Sequence, residues 1–387
     1  MKRSHILLVD DNPDNIYLLE VILQARNYAT VAAGNGREAI TAVENGDIDL
    51  ILMDVMMPEM DGFEASRHIR NRPESAHIPI IMMTAKKREL TDVVRGLDEG
   101  ALEYLTKPFE EEELLARVKS MLRIKHLHDD NRELLDKVLK QQKMMEQELK
   151  VAEKVQYAML PDTNRCPCDT GKCRVDAFYR AATSVGGDFY DILDYGKNRA
   201  AFLIADVSGH GPSAALIVAM LKAQLINEKH DLPSPAEMLR RLNKKLLPLI
   251  PDDSFITAFF GVMDMEALTF TYSRAGHPPA FIVGINGQVR DCDAPGTIMG
   301  MFEVVDFSEK TEQMESGDKL FMYSDGIFEV PDKEGNLFGM HRLRNSVVAR
   351  APLPGKEMLA AVVKEADAYW DGETVRDDVA AVVLEIL

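Results

Sequence analysis

Leu50-Ile51-Leu52-Met53-Asp54-Val55-Met56-Met57-Pro58 holds a short apolar run that ends on a carboxylate. The same arrangement recurs on either side of it. His5–Val9 runs into Asp10-Asp11, Ile78–Met83 runs into Thr84, and Glu103–Leu105 is followed by Lys107-Pro108, with a further run at Thr30–Ala33. Amphipathic helical patterns fill the intervals near 13–26, 36–45, 61–71, 89–99 and 110–122. Strand and helix in alternation predict a doubly wound α/β domain, a parallel sheet with helices on both faces. In such a sheet the ligand crevice lies at the carboxyl ends of the strands. There Asp10, Asp11, Asp54, Thr84 and Lys107 all meet.

Three carboxylates at one edge repel one another and need a hard cation, for which a small oxygen-liganded Mg²⁺ is suited. Asp54 can then act as nucleophile toward a phosphoryl donor. Lys107 and the Thr84 hydroxyl are placed to hold the transferred oxygens. An isolated Asp at a strand end is commonly a turn former, but matching residues at so many strand ends argue for a site.

On the motifs Val9-Asp10-Asp11, Met53-Asp54-Val55-Met56-Met57-Pro58 continuing to Asp61-Gly62, Thr84-Ala85 and Lys107-Pro108-Phe109, residues 1–122 resemble a two-component response-regulator receiver domain. The resemblance implies phosphorylation of Asp54 by a sensor histidine kinase. It also implies switch roles for Thr84 and Tyr104, and a cis bond at Lys107-Pro108.

Residues 123–160 are expected to form a helical linker. No Gly or Pro interrupts 118–160, and a 3-4-3-4 spacing runs through Leu135, Val138, Gln142, Met145, Leu149, Ala152, Gln156 and Met159. That is a coiled-coil seam with glutamines at two core positions. It is read as pairing two chains into a homodimer, a solvated single helix being the alternative.

Residues 161–387 read as α+β. Strand-like stretches at Ala200–Asp206, Ile256–Asp264, Thr269–Arg274 and Lys319–Ser324 flank helical segments near 212–229, 235–248 and 355–370. Aspartates sit in glycine-rich or turn-like contexts: Gly186-Gly187-Asp188-Phe189-Tyr190-Asp191, Asp206-Val207-Ser208-Gly209-His210-Gly211, Tyr323-Ser324-Asp325-Gly326, and Arg376-Asp377-Asp378. Asp206 and Asp325 each follow an apolar run and so fall at strand ends. Convergence of such carboxylates would make a two-metal site able to bind and deprotonate water. No G-x-S-x-G, P-loop or phosphatase-type cysteine offers another nucleophile.

These blocks in this order resemble the PPM (protein phosphatase 2C-like) sandwich, and most of all its stage II sporulation and stress-regulator serine phosphatases. Val155-Gln156 with Met159-Leu160-Pro161, and Ala275-Gly276-His277-Pro278-Pro279, support the match. The resemblance implies that Asp188, Asp206, Asp325 and Asp377 are metal carboxylates, that Val207 supplies a backbone carbonyl, and that Mn²⁺ or Mg²⁺ is bound, two ions in number. It implies a phosphoserine or phosphothreonine protein as substrate and, by analogy, a phosphorylated anti-sigma-factor antagonist. Two departures stand out. Ala380 occupies a position where the family commonly has threonine, and Cys166, Cys168 and Cys173 crowd the domain start, read as a loop insertion with incidental thiols. His210 and His277 stand beside glycines and are as readily structural as catalytic.

Across 387 residues the net charge is −18, from 45 Lys+Arg and 63 Asp+Glu. This balance, with no recognition-helix signature, argues against nucleic acid as a partner and against a transcription-factor output. The longest apolar run, Ala214–Leu221, falls far short of a membrane span, and the apolar stretch near the start is too short for a signal peptide. With 4 cysteines in all, a cytoplasmic protein is expected. The combined reading is a receiver-controlled metal-dependent phosphatase. The alternative is a non-catalytic adaptor that binds a partner through its phosphatase-like domain.

Overall fold

The computed structural model describes residues 3–84, 103–163, 171–196, 198–370, 372 and 377–387. The chain forms two compact units, Met1–Lys143 and Met144–Leu387.

In the first unit, β1 (His5–Val9), β2 (Ala29–Ala33), β3 (Leu50–Asp54), β4 (Ile80–Thr84) and β5 (Glu103–Thr106) form one parallel sheet in the order β2-β1-β3-β4-β5. Successive side chains of a strand point to opposite faces, and here both faces are covered. Leu7, Val9, Ile51, Met53, Ile80 and Met82 pack with Ala39 of α2 (Gly36–Asn45) and with Ala65 and Ile69 of α3 (Gly62–Arg70). Ile6, Leu8, Leu50, Leu52, Ile81 and Met83 pack with Leu19 and Leu23 of α1 (Pro13–Ala25) and with Leu114 and Val118 of α4 (Glu111–Met159). That double burial is why the strands read as unbroken apolar runs. Side chains of Asn12, Asn35 and Asp61 cap α1, α2 and α3 by accepting backbone N–H bonds. The helical pattern expected near 89–99 lies outside the described residues.

Helix α4 runs unbroken through the expected linker. Leu135, Val138 and Met145 are exposed. The C-terminal half of the seam differs from expectation. Met159 packs into the second unit's own core, and Gln156 is only 2% exposed, its amide spent on the backbone of Gly186. A polar position in a periodic stripe carries no mark of which surface will cover it.

The second unit is a sandwich of two antiparallel sheets. One joins β7 (Phe189–Asp194), β8 (Arg199–Val207), β9 (Ile256–Asp264), β10 (Thr269–Ala275) and β13 (Glu309–Gln313). The other joins β6 (Cys173–Arg180), β11 (Ala280–Val283), β12 (Val289–Cys292), β14 (Lys319–Tyr323) and β15 (Val379–Ile386). Phe202 and Ile204 of β8 face the other sheet, together with Phe259, Leu320, Val382 and Leu384. Ala201, Leu203 and Ala205 face outward under α5 (Pro212–Glu228) and α6 (Pro235–Leu246). On the far side, α7 (Gly339–Ala349) and α8 (Gly355–Tyr369) cover Phe321, Tyr323, Ala381 and Val383. Cys173 and Cys292 belong to the inter-sheet core; Cys166 and Cys168 lie outside the described residues. No helix among the described residues is long and apolar enough to cross a membrane.

Candidate functional site

At the carboxyl edge of the parallel sheet, β1 delivers Asp10, β3 ends on Asp54, β4 ends on Thr84, and Lys107 follows β5. Lys107 Nζ donates to Asp10 Oδ2 at 2.6 Å and to Asp54 Oδ1 at 2.5 Å. Asn15 Nδ2 and the Asn12 N–H also donate to the buried Asp10 carboxylate, and the Met56 N–H donates to Asp54 Oδ2. Burial pushes the Asp54 carboxyl above its usual acidity range, the Lys107 hydrogen bond and charge pull it down, and Asp10 pushes it up again. Burial alone would lower the Lys107 ammonium, but its bonds to Asp10 and Asp54 outweigh that and raise it. The Lys107-Pro108 bond is cis, as the resemblance implies. Asp11 is exposed beside this cluster, and Thr84 and Tyr104 are half-buried on adjacent strands.

In the second unit, Asp206 stands one residue before the end of β8. Asp325 opens a short turn after β14, Asp188 directly precedes β7, and Asp377-Asp378 precede β15. Three of these are held above the ordinary carboxylate range by burial and by neighbouring carboxylates. Burial, then Asp325 and Asp377, push the Asp206 carboxyl up to about 7. Burial, then Asp377 and Glu329, push Asp325 up to about 6. Burial, then Asp206, hold Asp188 well above the ordinary carboxylate range. No described Lys or Arg forms an ion pair with Asp188, Asp206, Asp325 or Asp377. The one buried ion pair of the Gly-Gly-Asp block joins Asp191 to Lys222 at 2.6 Å.

Residues that sequence reasoning passed over hold this arrangement. Ser324 Oγ donates to Asp188 Oδ2 at 2.5 Å and accepts the Ala380 N–H at 2.9 Å. A hydroxyl just past β14 thus serves the backbone N–H of Ala380. Asp378, buried, accepts the Ala182 N–H at 2.6 Å and the Gly187 N–H at 2.5 Å, pinning the loop before Asp188. Gln156 Nε2 donates to the Gly186 carbonyl at 2.7 Å, and the Gly186 N–H donates back to Oε1 at 3.0 Å. The glycines are required by close approach. A Cβ on Gly187 would lie 2.5 Å from the Val207 carbonyl, and one on Gly326 would lie 1.8 Å from the Asp378 carbonyl. Val207 itself is buried, its carbonyl turned toward Gly187. Glu329 adds an exposed carboxylate at the rim.

His277 has a structural place. It is buried, with Nδ1 facing Thr257 Oγ1 at 2.8 Å and Nε2 facing the Tyr323 carbonyl at 3.1 Å, and burial lowers its pKa to about 3. It stays neutral and braces the strand that delivers Asp325. His210 is exposed.

These donors are hard oxygens, the type that Mg²⁺ and Mn²⁺ take. Among the described residues no three carboxylate, imidazole or thiol groups close to a shared ligating distance. A hexacoordinate Mg²⁺ keeps several waters and needs only one or two carboxylates directly. A spaced set of mutually repelling aspartates is therefore compatible with it in donor chemistry.

A family model described as response regulator receiver domain matches residues 6–119, and one described as stage II sporulation protein E (SpoIIE) matches residues 196–387. Among curated proteins, the DNA-binding response regulator MtrA of Mycolicibacterium smegmatis is 41% identical over 121 residues, covering 31% of this chain and 51% of that protein. Response regulator PleD of Caulobacter vibrioides is 40% identical over 130 residues, 34% of this chain and 28% of that protein. The chain thus spans about half the length of MtrA and less of PleD. Among solved structures, the SiaA-PP2C domain of Pseudomonas aeruginosa aligns with 64% of this chain and 98% of its own at a TM-score of 0.56 and 19% identity, a likeness of fold alone. Parallel sheet and antiparallel sandwich each agree with the model that matches them, a response regulator receiver domain over residues 6–119 and a SpoIIE domain over residues 196–387.

Proposed function

We propose that this chain is a phosphorylation-controlled protein phosphatase of three parts: a receiver at 1–122, a helical linker at 123–160 and a metal-dependent phosphoserine/phosphothreonine phosphatase at 161–387. The observation that carries the reading is the group of aspartates, Asp206, Asp325 and Asp188, made weaker acids by burial and by neighbouring carboxylates while no described cation pairs with them. Such a set is costly unless a divalent cation neutralises it. In this reading Asp188, Asp206, Asp325, Asp377 and the Val207 carbonyl hold Mn²⁺ or Mg²⁺, two ions. When bound, the cations supply charge neutralisation and an acidified water for attack on a phosphate ester. The chain's own residues do the positioning: Ser324 orients Asp188, Asp378 fixes the loop before it, and His277 braces the strand before Asp325.

Asp54 is the phosphoacceptor, with Asp10 and Asp11 as its partners for one Mg²⁺. Lys107, 2.5 Å from Asp54, is placed to neutralise phosphoryl charge, and Thr84 and Tyr104 relay the change. The donor is a sensor histidine kinase and the substrate a phosphorylated anti-sigma-factor antagonist, in the cytoplasm. The exposed Leu135, Val138 and Met145 on α4 support pairing of two chains through the linker.

The test is phosphate release from a phosphoserine-bearing antagonist by the full chain with Mn²⁺, with and without an acyl-phosphate donor for Asp54. Release should require Mn²⁺, vanish in Asp206→Asn and change with Asp54 phosphorylation. No turnover in either state with metal bound refutes the reading. The adaptor reading draws on the spacing of the carboxylates, which do not close into a ligand set. It predicts that Asp206→Asn leaves signalling intact.

A further inference from the structure

Tyr179 lies on β6 directly opposite Ala380 in the β6–β15 ladder. Ala380 is the residue whose N–H is held by Ser324 Oγ, which in turn donates to Asp188 Oδ2. Tyr179 is therefore one ladder step from the aspartate group. Its ring is explained by packing: it joins the inter-sheet core and meets the Tyr157 ring edge-on at 5.5 Å. Its hydroxyl is not. The oxygen is enclosed and has no hydrogen-bond partner among the described residues. Phenylalanine would keep every one of those ring contacts without the cost of burying an unpaired donor.

The nearby carboxylates show where such a donor is of use. Both oxygens of Asp378 are taken by the Ala182 and Gly187 N–H groups. Asp188 Oδ2 takes the Ser324 hydroxyl, while no described group donates to Asp188 Oδ1. A donor without an acceptor, the Tyr179 hydroxyl, and an acceptor without a donor, Asp188 Oδ1, are thus connected through Ala380 and Ser324, and the charge of Asp188 acts on the phenol. Burial, and after it the charges of Asp378 and Asp188, raise the Tyr179 phenol, so it remains a donor.

We propose that Tyr179 is a positioning residue of the aspartate site, its phenol O–H donating to a water oxygen held at the open Oδ1 of Asp188 alongside the divalent cation. This rests on the cation site proposed above. A water needs two or more polar partners to stay, and these two groups together with a cation provide them. The linker helix touches this residue through Tyr157, which brings the end of α4 into contact with the site's positioning layer.

The experiment compares Tyr179→Phe with the unaltered full chain by Mn²⁺ calorimetry and by thermal melting in chelator. An orphan donor holds nothing in the metal-free protein, so the variant should melt at or slightly above the parent temperature. It should bind Mn²⁺ about 10-fold more weakly, the loss of one hydrogen bond in a charged site. A purely structural hydroxyl gives the opposite pattern, a lower melting temperature with Mn²⁺ affinity unchanged, and that result overturns the inference. Unchanged affinity with unchanged melting overturns it as well. A parent chain that takes up no Mn²⁺ refutes the cation site itself and this inference with it.

Discussion

Replacing Gln156 with leucine tests whether the last turn of the long helix is built into the second unit. The Gln156 amide is 2% exposed and makes two bonds to Gly186, at 2.7 and 3.0 Å. Leucine is of similar volume and has no polar atom. It leaves the Gly186 N–H and carbonyl buried without partners, at about 1–3 kcal/mol each. Burial of the new apolar side chain returns about 1–2 kcal/mol. The net loss is roughly 3 kcal/mol, which in a unit of this size lowers the melting temperature by about 6–12 °C. The chain's 1 tryptophan, Trp370, packs in the second unit's core. Its fluorescence therefore reports on that unit alone. The same change at Gln147, an exposed position of the same helix within the second unit, should cost under about 0.5 kcal/mol. If Gln156→Leu and Gln147→Leu leave the Trp370 midpoint equally unmoved, the amide contributes nothing to the Gly186 loop and the reasoning fails.

Three further outcomes follow from the same contacts. Lys107→Met leaves Asp10 and Asp54 facing each other without their shared cation, so the metal-free first unit should lose about 2–3 kcal/mol, less than a fully buried pair because the ammonium side chain is 21% exposed; carboxyl ¹³C titration should show Asp54 moving to still higher pH. His77, stacked on His128 at 5.5 Å, has its pKa lowered by burial and then by the charge of Lys125. The folded form binds fewer protons there than the unfolded chain, so this contribution to stability is complete above about pH 6.5 and is lost as pH falls below it. His77→Phe should flatten that part of the pH slope, read by amide exchange on β1 and β3, and an identical slope in both proteins would rule the histidine out. Gly326→Ala forces a Cβ to 1.8 Å from the Asp378 carbonyl, backbone against backbone with no rotamer to relieve it; a loss of at least about 3 kcal/mol is expected at the Trp370 midpoint.

Much of this protein is local and therefore legible along the chain. The first sheet is buried on both faces, so its strands are continuous apolar runs, and parallel winding sends their carboxyl ends to one edge. Asp10, Asp54, Thr84 and Lys107 could be assigned to that edge from order alone. Strands β8, β9, β10 and β14 and helices α5, α6 and α8 carry equally plain patterns. Strand β13 does not: Glu-Lys-Thr-Glu-Gln has no apolar face and becomes a strand only because β10 supplies its ladder partners at the sheet edge.

The division is sharpest around the aspartates. Which carboxylates stand in turns after apolar runs is legible along the chain, because strand ends and glycines are local properties. What each one does there is settled by folding. It buried Asp378 as a clamp on the Gly187 loop beside the exposed Asp377, set Ser324 against Asp188, and turned Gln156 out of a presumed helix–helix seam onto Gly186. Those roles depend on hydrogen-bond partners between 30 and 191 residues away in the chain. No periodicity encodes such a partner; it exists once two sheets and a helix end are packed, and the cost of leaving a buried polar group unpaired selects it.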